Sequence, residues 1–133
     1  MPRPKRKKAC SDCPFRRDSI LGWLGDDVAE NFVRGALADY ADYPLPCHVD
    51  IDYKDPNWLE AQYPESALCA GALIFCRNNA KRPRDSERSA WVSAIEPDPS
   101  VFQYPWEFYE HHGAEFPEDV ARTKRYVETG RFE

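Results

Sequence analysis

Cys10-Ser11-Asp12-Cys13-Pro14-Phe15-Arg16 opens the part of this 133-residue chain that is built to fold. Pro14 biases the backbone of Cys13 away from the helical region. The C-x-x-C pair therefore sits on a turn, and a turn is where a metal knuckle needs its thiols. Zinc and iron–sulfur centres take thiolates from loops or element ends, a close pair from one turn and partners from elsewhere. Two later stretches offer partners, Pro46-Cys47-His48 and Leu68-Cys69-Ala70-Gly71. Cys47 lies 34 residues after Cys13, and Cys69 a further 22. The spacing is C-x2-C…C-H…C, with a split second half unlike that of a zinc ribbon.

Helix geometry chooses among the five cysteines. Ser66 reads as an N-cap, and Ala67 to about Asn79 reads as a helix. Cys69 and Cys76 are then separated by about 10.5 Å along the axis. Two thiolates at about 2.3 Å from one zinc cannot span that distance. Cys69, at the helix start, is the ligand of choice, and Cys76 is a core thiol. Adjacent strand residues point to opposite sides, so Cys47 and His48 compete for one position. The expected metal ligands are Cys10, Cys13, Cys47 and Cys69, with His48 as the alternative to Cys47. The expected cofactor is Zn2+, with a [4Fe–4S] cluster as the alternative. Arg16 and Arg17 stand ready to offset thiolate charge, or are simply exposed. Gly71, inside the helix, marks a close approach of another backbone.

The segments CSDCPFRR, PCH and LCAGALIF together resemble a family of small uncharacterised proteins from bacteriophages and actinobacteria, whose pattern is CxxCPFR…CH…CxG. The resemblance covers Cys10 to Asn79 and implies that Cys10, Cys13, Cys47, His48 and Cys69 belong to the motif, with Cys76 outside it. It implies a phage-encoded protein and no established activity. It does not account for the C-terminal part.

The remaining elements follow from pattern. Asp26 and Asp27 start a helix, and Val28, Ala29, Phe32, Val33, Ala36, Leu37 and Tyr40 give it an apolar stripe at helical spacing. Pro44 and Pro46 end that segment. Cys47 to Tyr53 alternates as a short strand would, and Trp58 to Tyr63 suits a helical turn. Ile20, Leu21, Trp23 and Leu24 form an apolar patch. Pro105 suits the start of a short helix to about His112, closed by Gly113. A last helix runs from Pro117-Glu118-Asp119 to before Gly130, with Phe116, Val120 and Val127 facing inward. The expected fold class is α+β, mostly helical and loop-rich. It is a small single domain stapled by a metal centre, with at most a short β-strand or hairpin.

Composition bounds the function. Hydrophobic residues make up 42% of the chain and include 18 aromatics, enough for a core, while 12 prolines interrupt it. No apolar run is long enough to span a membrane. The basic start lacks the apolar stretch of a secretory signal, so a cytoplasmic protein is expected, in the host cytoplasm if phage-encoded. An odd cysteine count argues against a fully paired disulfide framework. Residues 1–8 read as a flexible basic arm bearing Arg3, Lys5, Arg6, Lys7 and Lys8. Residues 9–88 read as the cysteine-rich metal-binding domain, and 89–133 as an acidic aromatic segment packed on it. The body without the arm carries 13 basic against 23 acidic residues, a net of −10. Phosphate contacts must therefore come from local patches such as the arm or Lys81-Arg82-Pro83-Arg84.

Three functions compete. The first is a non-enzymatic metal-stapled module that binds a host protein or nucleic acid through the arm and the aromatic stretch Trp91–Phe116. The second is a thiol redox protein using Cys10 and Cys13, although the helix after C-x-x-C that a thioredoxin-like reading needs is missing. The third is a metalloenzyme using Glu107, Glu110, His111 or His112. Its only support is the i, i+4 spacing of Glu107 and His111, and histidines favour helix C-termini for electrostatic reasons alone.

Overall fold

The computed structural model describes residues 3–37, 45–79 and 85–130. Tyr40, Pro44 and the basic run Lys81–Arg84, singled out above, lie outside them. Six α-helices follow one another among the described residues: α1 (Asp26–Leu37), α2 (Trp58–Ala61), α3 (Ala70–Asn78), α4 (Ser86–Ala94), α5 (Pro105–His111) and α6 (Glu118–Thr129). The helical, loop-rich architecture agrees with the pattern reading. The expected strand at Cys47–Tyr53 does not form; His48–Asp50 is a 3-10 turn instead. The Asp50 amide turns back to the Cys47 carbonyl, and the Asp50 carboxylate accepts the Ala67 amide. A side-chain acceptor that reaches 17 residues along the chain thus takes the place of an extended ladder.

The core is centred on Phe15, which is wholly buried. Its ring lies 4.8 Å from Phe108, 5.3 Å from Phe75 and 6.0 Å from Phe32, centroid to centroid. Three helices therefore meet on the residue two positions after the knuckle. Helix α3 is the central element: Ala70, Gly71, Ala72, Ile74, Phe75 and Cys76 are all buried. Helices α1 and α4 pack on α3, α5 packs on α1, and α6 packs on α5.

Single-residue bridges replace sheets. Pro46 pairs antiparallel with Leu68, Arg3 parallel with Ala67, and Arg16 antiparallel with Val101. The Pro46–Leu68 pair is flanked by bonds from the Cys47 amide to Ala67 O (2.7 Å) and from the Cys69 amide to Leu45 O (2.9 Å). Pro46 thus occupies a position where the ladder needs no N–H. This pairing sets Cys47 and Cys69 on neighbouring backbones.

The other element expectations hold to different degrees. Helix α5 starts at Pro105, and Gly113 follows with φ 70°, a left-handed turn that suits glycine. Helix α6 starts after Pro117 and stops at Gly130 as expected, but Val127 is exposed. The patch at 20–24 is split: Ile20 and Leu21 are 71% and 77% exposed, while Leu24 packs against the core. Helix α4 was not expected, since its apolar content is low. It is nucleated by Asp85, whose carboxylate caps the Glu87 amide.

Candidate metal centre

The knuckle is a run of tight turns. The Cys13 amide donates to Cys10 O and the Arg16 amide to Cys13 O, both at 3.1 Å. Beyond it, residues 15–17 are stitched to 100–102: Phe102 N donates to Phe15 O at 3.0 Å and Arg17 N to Ser100 O at 2.7 Å. Cys13 is driven inward beside Phe15, and only Cys10 remains partly accessible.

The second half comes from the 45–47 and 67–69 pairing. Cys69 is the N-cap of α3, one position outside the helix. The predicted cap, Ser66, instead turns its hydroxyl back onto Tyr63 O at 2.7 Å. As a cap, Cys69 receives the Ala72 amide on its sulfur at 3.4 Å. A metal thiolate gains from that kind of donor.

The four predicted cysteines come together. The sulfurs of Cys13 and Cys69 are 3.8 Å apart, and those of Cys10 and Cys47 are 4.0 Å apart. The Cys10 and Cys13 side chains also interact, so the contacts run Cys47–Cys10–Cys13–Cys69. Among the described residues, no group of three or more His, Cys, Asp or Glu side chains is placed so that it could hold a metal ion; the thiols form this chain of pairwise contacts. No disulfide joins any of the five cysteines.

Cys76 is buried in α3, away from the helix start that presents Cys69. His48 is half-buried and lies edge-on to Trp23, ring centroids 5.6 Å apart. Burial lowers its pKa against the opposing pull of Asp12.

Gly71 explains itself by distance. A Cβ at that position would lie 2.3 Å from the Cys13 sulfur and 3.1 Å from the Phe15 Cβ. Only glycine lets the first turn of α3 lie against the knuckle; the close approach is to side chains, where another backbone was expected.

The electrostatics oppose bare thiolates. The Cys10 thiol is raised by its contact with Cys13 and by burial. At Cys13 the contact with Cys10 works downward, while Cys69 and burial outweigh it and raise the thiol. Crowded buried sulfurs cannot all ionise without a cation among them. A nucleophilic redox thiol needs the opposite shift. The cation that does approach is Arg6. Its guanidinium is held at high pKa first by Cys47 and then by Asp50, which it meets at 3.0 Å. The Tyr53 hydroxyl is raised by burial and then by both Cys69 and Cys47, so it senses the two sulfurs at once.

Arg16 and Arg17 do not take the charge-offsetting role. Arg16 pairs with Asp18 at 2.8 Å, and Arg17 with Glu107 at 2.7 Å. The Glu107 carboxyl is pushed up by burial. The Arg17 bond, with the Tyr104 and Gln103 amides, outweighs this and leaves it lowered.

The histidines of α5 also work on the knuckle. His112 is fully buried, and its Nε2 lies 2.8 Å from Pro14 O, while Nδ1 has no partner. His111 Nε2 lies 2.8 Å from Ser19 O, and the His111 and His112 carbonyls accept the Gly22 and Gly25 amides. Glu107 and His111 are thus each committed to holding the chain. The pattern reading missed this clamp and missed Phe15 as its hub. The available signal was an aromatic directly after Cys-Pro and a His pair at a helix end.

Most of the aromatic stretch is core: Phe102, Trp106, Phe108 and Tyr109 are buried, and only Trp91, Tyr104 and Phe116 stay partly accessible. Residues 3–6 lie along Asp50 and the 65–68 segment as a strap. Leu68 N donates to Arg3 O at 2.8 Å, and Lys5 Nζ donates to Glu65 O at 2.7 Å. No helix among the described residues is long and apolar enough to cross a membrane. No family model, curated protein or solved structure matches the chain.

Proposed function

We propose that Cys10, Cys13, Cys47 and Cys69 bind one zinc ion as a structural staple, and that the protein is a non-catalytic binding module. The sulfur spacing carries this reading. Four thiolates at about 2.3 Å from a tetrahedral zinc stand about 3.8 Å from one another. The two sulfur contacts, 3.8 and 4.0 Å, match that edge. A [4Fe–4S] cluster attaches each cysteine to a different iron and holds the sulfurs apart across the cluster body. Sulfurs in contact favour a single ion. Zinc would supply the positive charge that lets the thiols ionise. Arg6 beside Cys47 would offset the negative charge left on a four-thiolate site.

The test is elemental analysis with a UV–visible spectrum on protein purified without oxygen. The expected result is one zinc per chain and no colour. Cys69→Ser should abolish stoichiometric zinc, while Cys76→Ser should keep it. Iron with labile sulfide, or equal loss of metal in both variants, would overturn the assignment.

A further inference from the structure

We infer that the cleft between the strap at residues 4–8 and the 91–99 segment binds single-stranded nucleic acid, with Lys7 and Lys8 on phosphates and Trp91 stacked on a base. This deepens the binding role proposed above and rests on it. The cleft encloses about 730 Å3 and is lined by the strap on one side and by Trp91, Ile95 and Glu96 on the other, with Leu73 of α3 between. That volume lies within the range of roughly 300–1,000 Å3 typical of ligand sites.

The cations on the strap fall into two classes. Lys5 and Arg6 are tied to Glu65 O and Asp50. Lys7 and Lys8 are exposed, and among the described residues neither donates a hydrogen bond or closes an ion pair. They follow directly on a segment held in place, so their positions are set with no hydrogen bond committed, and Lys8 feels the Asp98 charge across the cleft. Across the cleft, Trp91 is only partly buried. Of the two acids there, Asp98 accepts the Ser100 amide and hydroxyl on one carboxylate oxygen, at 2.9 and 2.7 Å. Glu96 is exposed at the lip.

Lysines tracking phosphates beside an aromatic platform are the working parts of single-strand grooves. Charge decides against a duplex. Outside the strap region the body is strongly acidic, and the second phosphate row of a duplex would be pressed against it. A single strand brings its phosphates to one wall only. An acidic peptide would satisfy the lysines but would use the Trp91 face only if it also carried an aromatic side chain, whereas every nucleotide brings a planar base.

The experiment is fluorescence anisotropy with fluorescein-labelled oligothymidylate of about 12 nucleotides, within the known range of site sizes, against a duplex of the same length. Zinc content is measured on every sample. Saturable binding of the single strand, tighter than of the duplex, is expected. Lys7→Glu with Lys8→Glu should weaken it at least tenfold at low salt and flatten the salt slope by about 1.4. Trp91→Ala should weaken it about tenfold, Trp91→Phe should restore most of the loss, and Glu96→Lys should tighten it. Absence of single-strand binding at low salt, equal or better duplex binding, or indifference to the Lys7, Lys8 and Trp91 variants would overturn the inference. A chain that keeps one zinc yet fails to bind sinks the cleft alone, while a chain without zinc sinks the metal site.

Discussion

Gly71 and His112 show how much of this molecule rests on single atoms. Alanine in place of Gly71 should stabilise a helix by about 1 kcal/mol on propensity alone. Here the added methyl would meet the Cys13 sulfur at 2.3 Å. Gly71→Ala is therefore expected to lower the melting temperature and the zinc stoichiometry together, the reverse of the propensity effect; a variant that melts higher with full zinc would refute the contact. His112 donates through Nε2 to Pro14 O, so it is buried as the neutral ring, and burial lowers its pKa below the ordinary 6.5, with the Pro14 bond only partly offsetting. A base with a lowered folded pKa binds fewer protons folded than unfolded. Its contribution is complete above about pH 6.5 and is lost as pH falls from there towards the folded pKa. Release of the proposed zinc would also destabilise in acid, because ligand thiols must be deprotonated. The two are separated by His112→Gln, which keeps a donor for Pro14 O. Thermal melts of wild type and variant should differ in slope below pH 6.5, with the variant flatter. Parallel slopes would mean that His112 does not titrate on unfolding.

At the scale of elements, the chain holds its site with short pieces that brace one another. The knuckle is braced from behind by Phe15 and from the side by α5. Phe15→Ala should cost about 3–5 kcal/mol, read by denaturant melts, and a cost below 1 kcal/mol would show that the three rings around it pack without it. Much of this was legible beforehand. The stripe of α1 (apart from Val28, which is exposed, and Tyr40, outside the described residues), the proline start and glycine stop of α5, and the stop of α6 at Gly130 are local signals, and each was enough. The 3-10 turn at His48–Asp50 was not, because Val49, Ile51 and Tyr53 alternate as in a strand while the Asp50 side chain decides the backbone by reaching Ala67, 17 residues away. The cap of α3 was misplaced for a related reason. Ser66 is the better intrinsic cap, yet the ladder with Leu45 holds the backbone extended through Cys69. The grouping of Cys10 and Cys13 with Cys47 and Cys69 was legible from spacing and helix geometry alone. The clamp by His111 and His112 needed contacts about 90 residues away in sequence, which no local pattern encodes.

The whole molecule joins two halves through the sulfurs: a knuckle anchored in an aromatic core, and a loop half at 45–69 held by isolated bridges. Binding free energy that exists only in the folded state adds to stability. Chelation should therefore speed amide exchange at Cys47, Leu68 and Cys69 before that at Phe102 and His112, since the latter lean on the Phe15 core. Simultaneous collapse of both halves would mean that the core depends on the ion as much as the loops do. Deleting residues 1–8 removes the Arg3, Lys5 and Arg6 contacts with the loop half as well as Lys7 and Lys8. The truncated protein should melt a few degrees lower and keep its zinc; unchanged melting would show that the strap is not part of the domain. The central claim is that four sulfurs surround one ion, and X-ray absorption at the zinc edge on the purified protein tests it most directly. A first shell of four sulfurs at about 2.3 Å is predicted. A shell containing imidazole nitrogen or oxygen, or fewer than four sulfurs, would contradict it and return His48 to the ligand set.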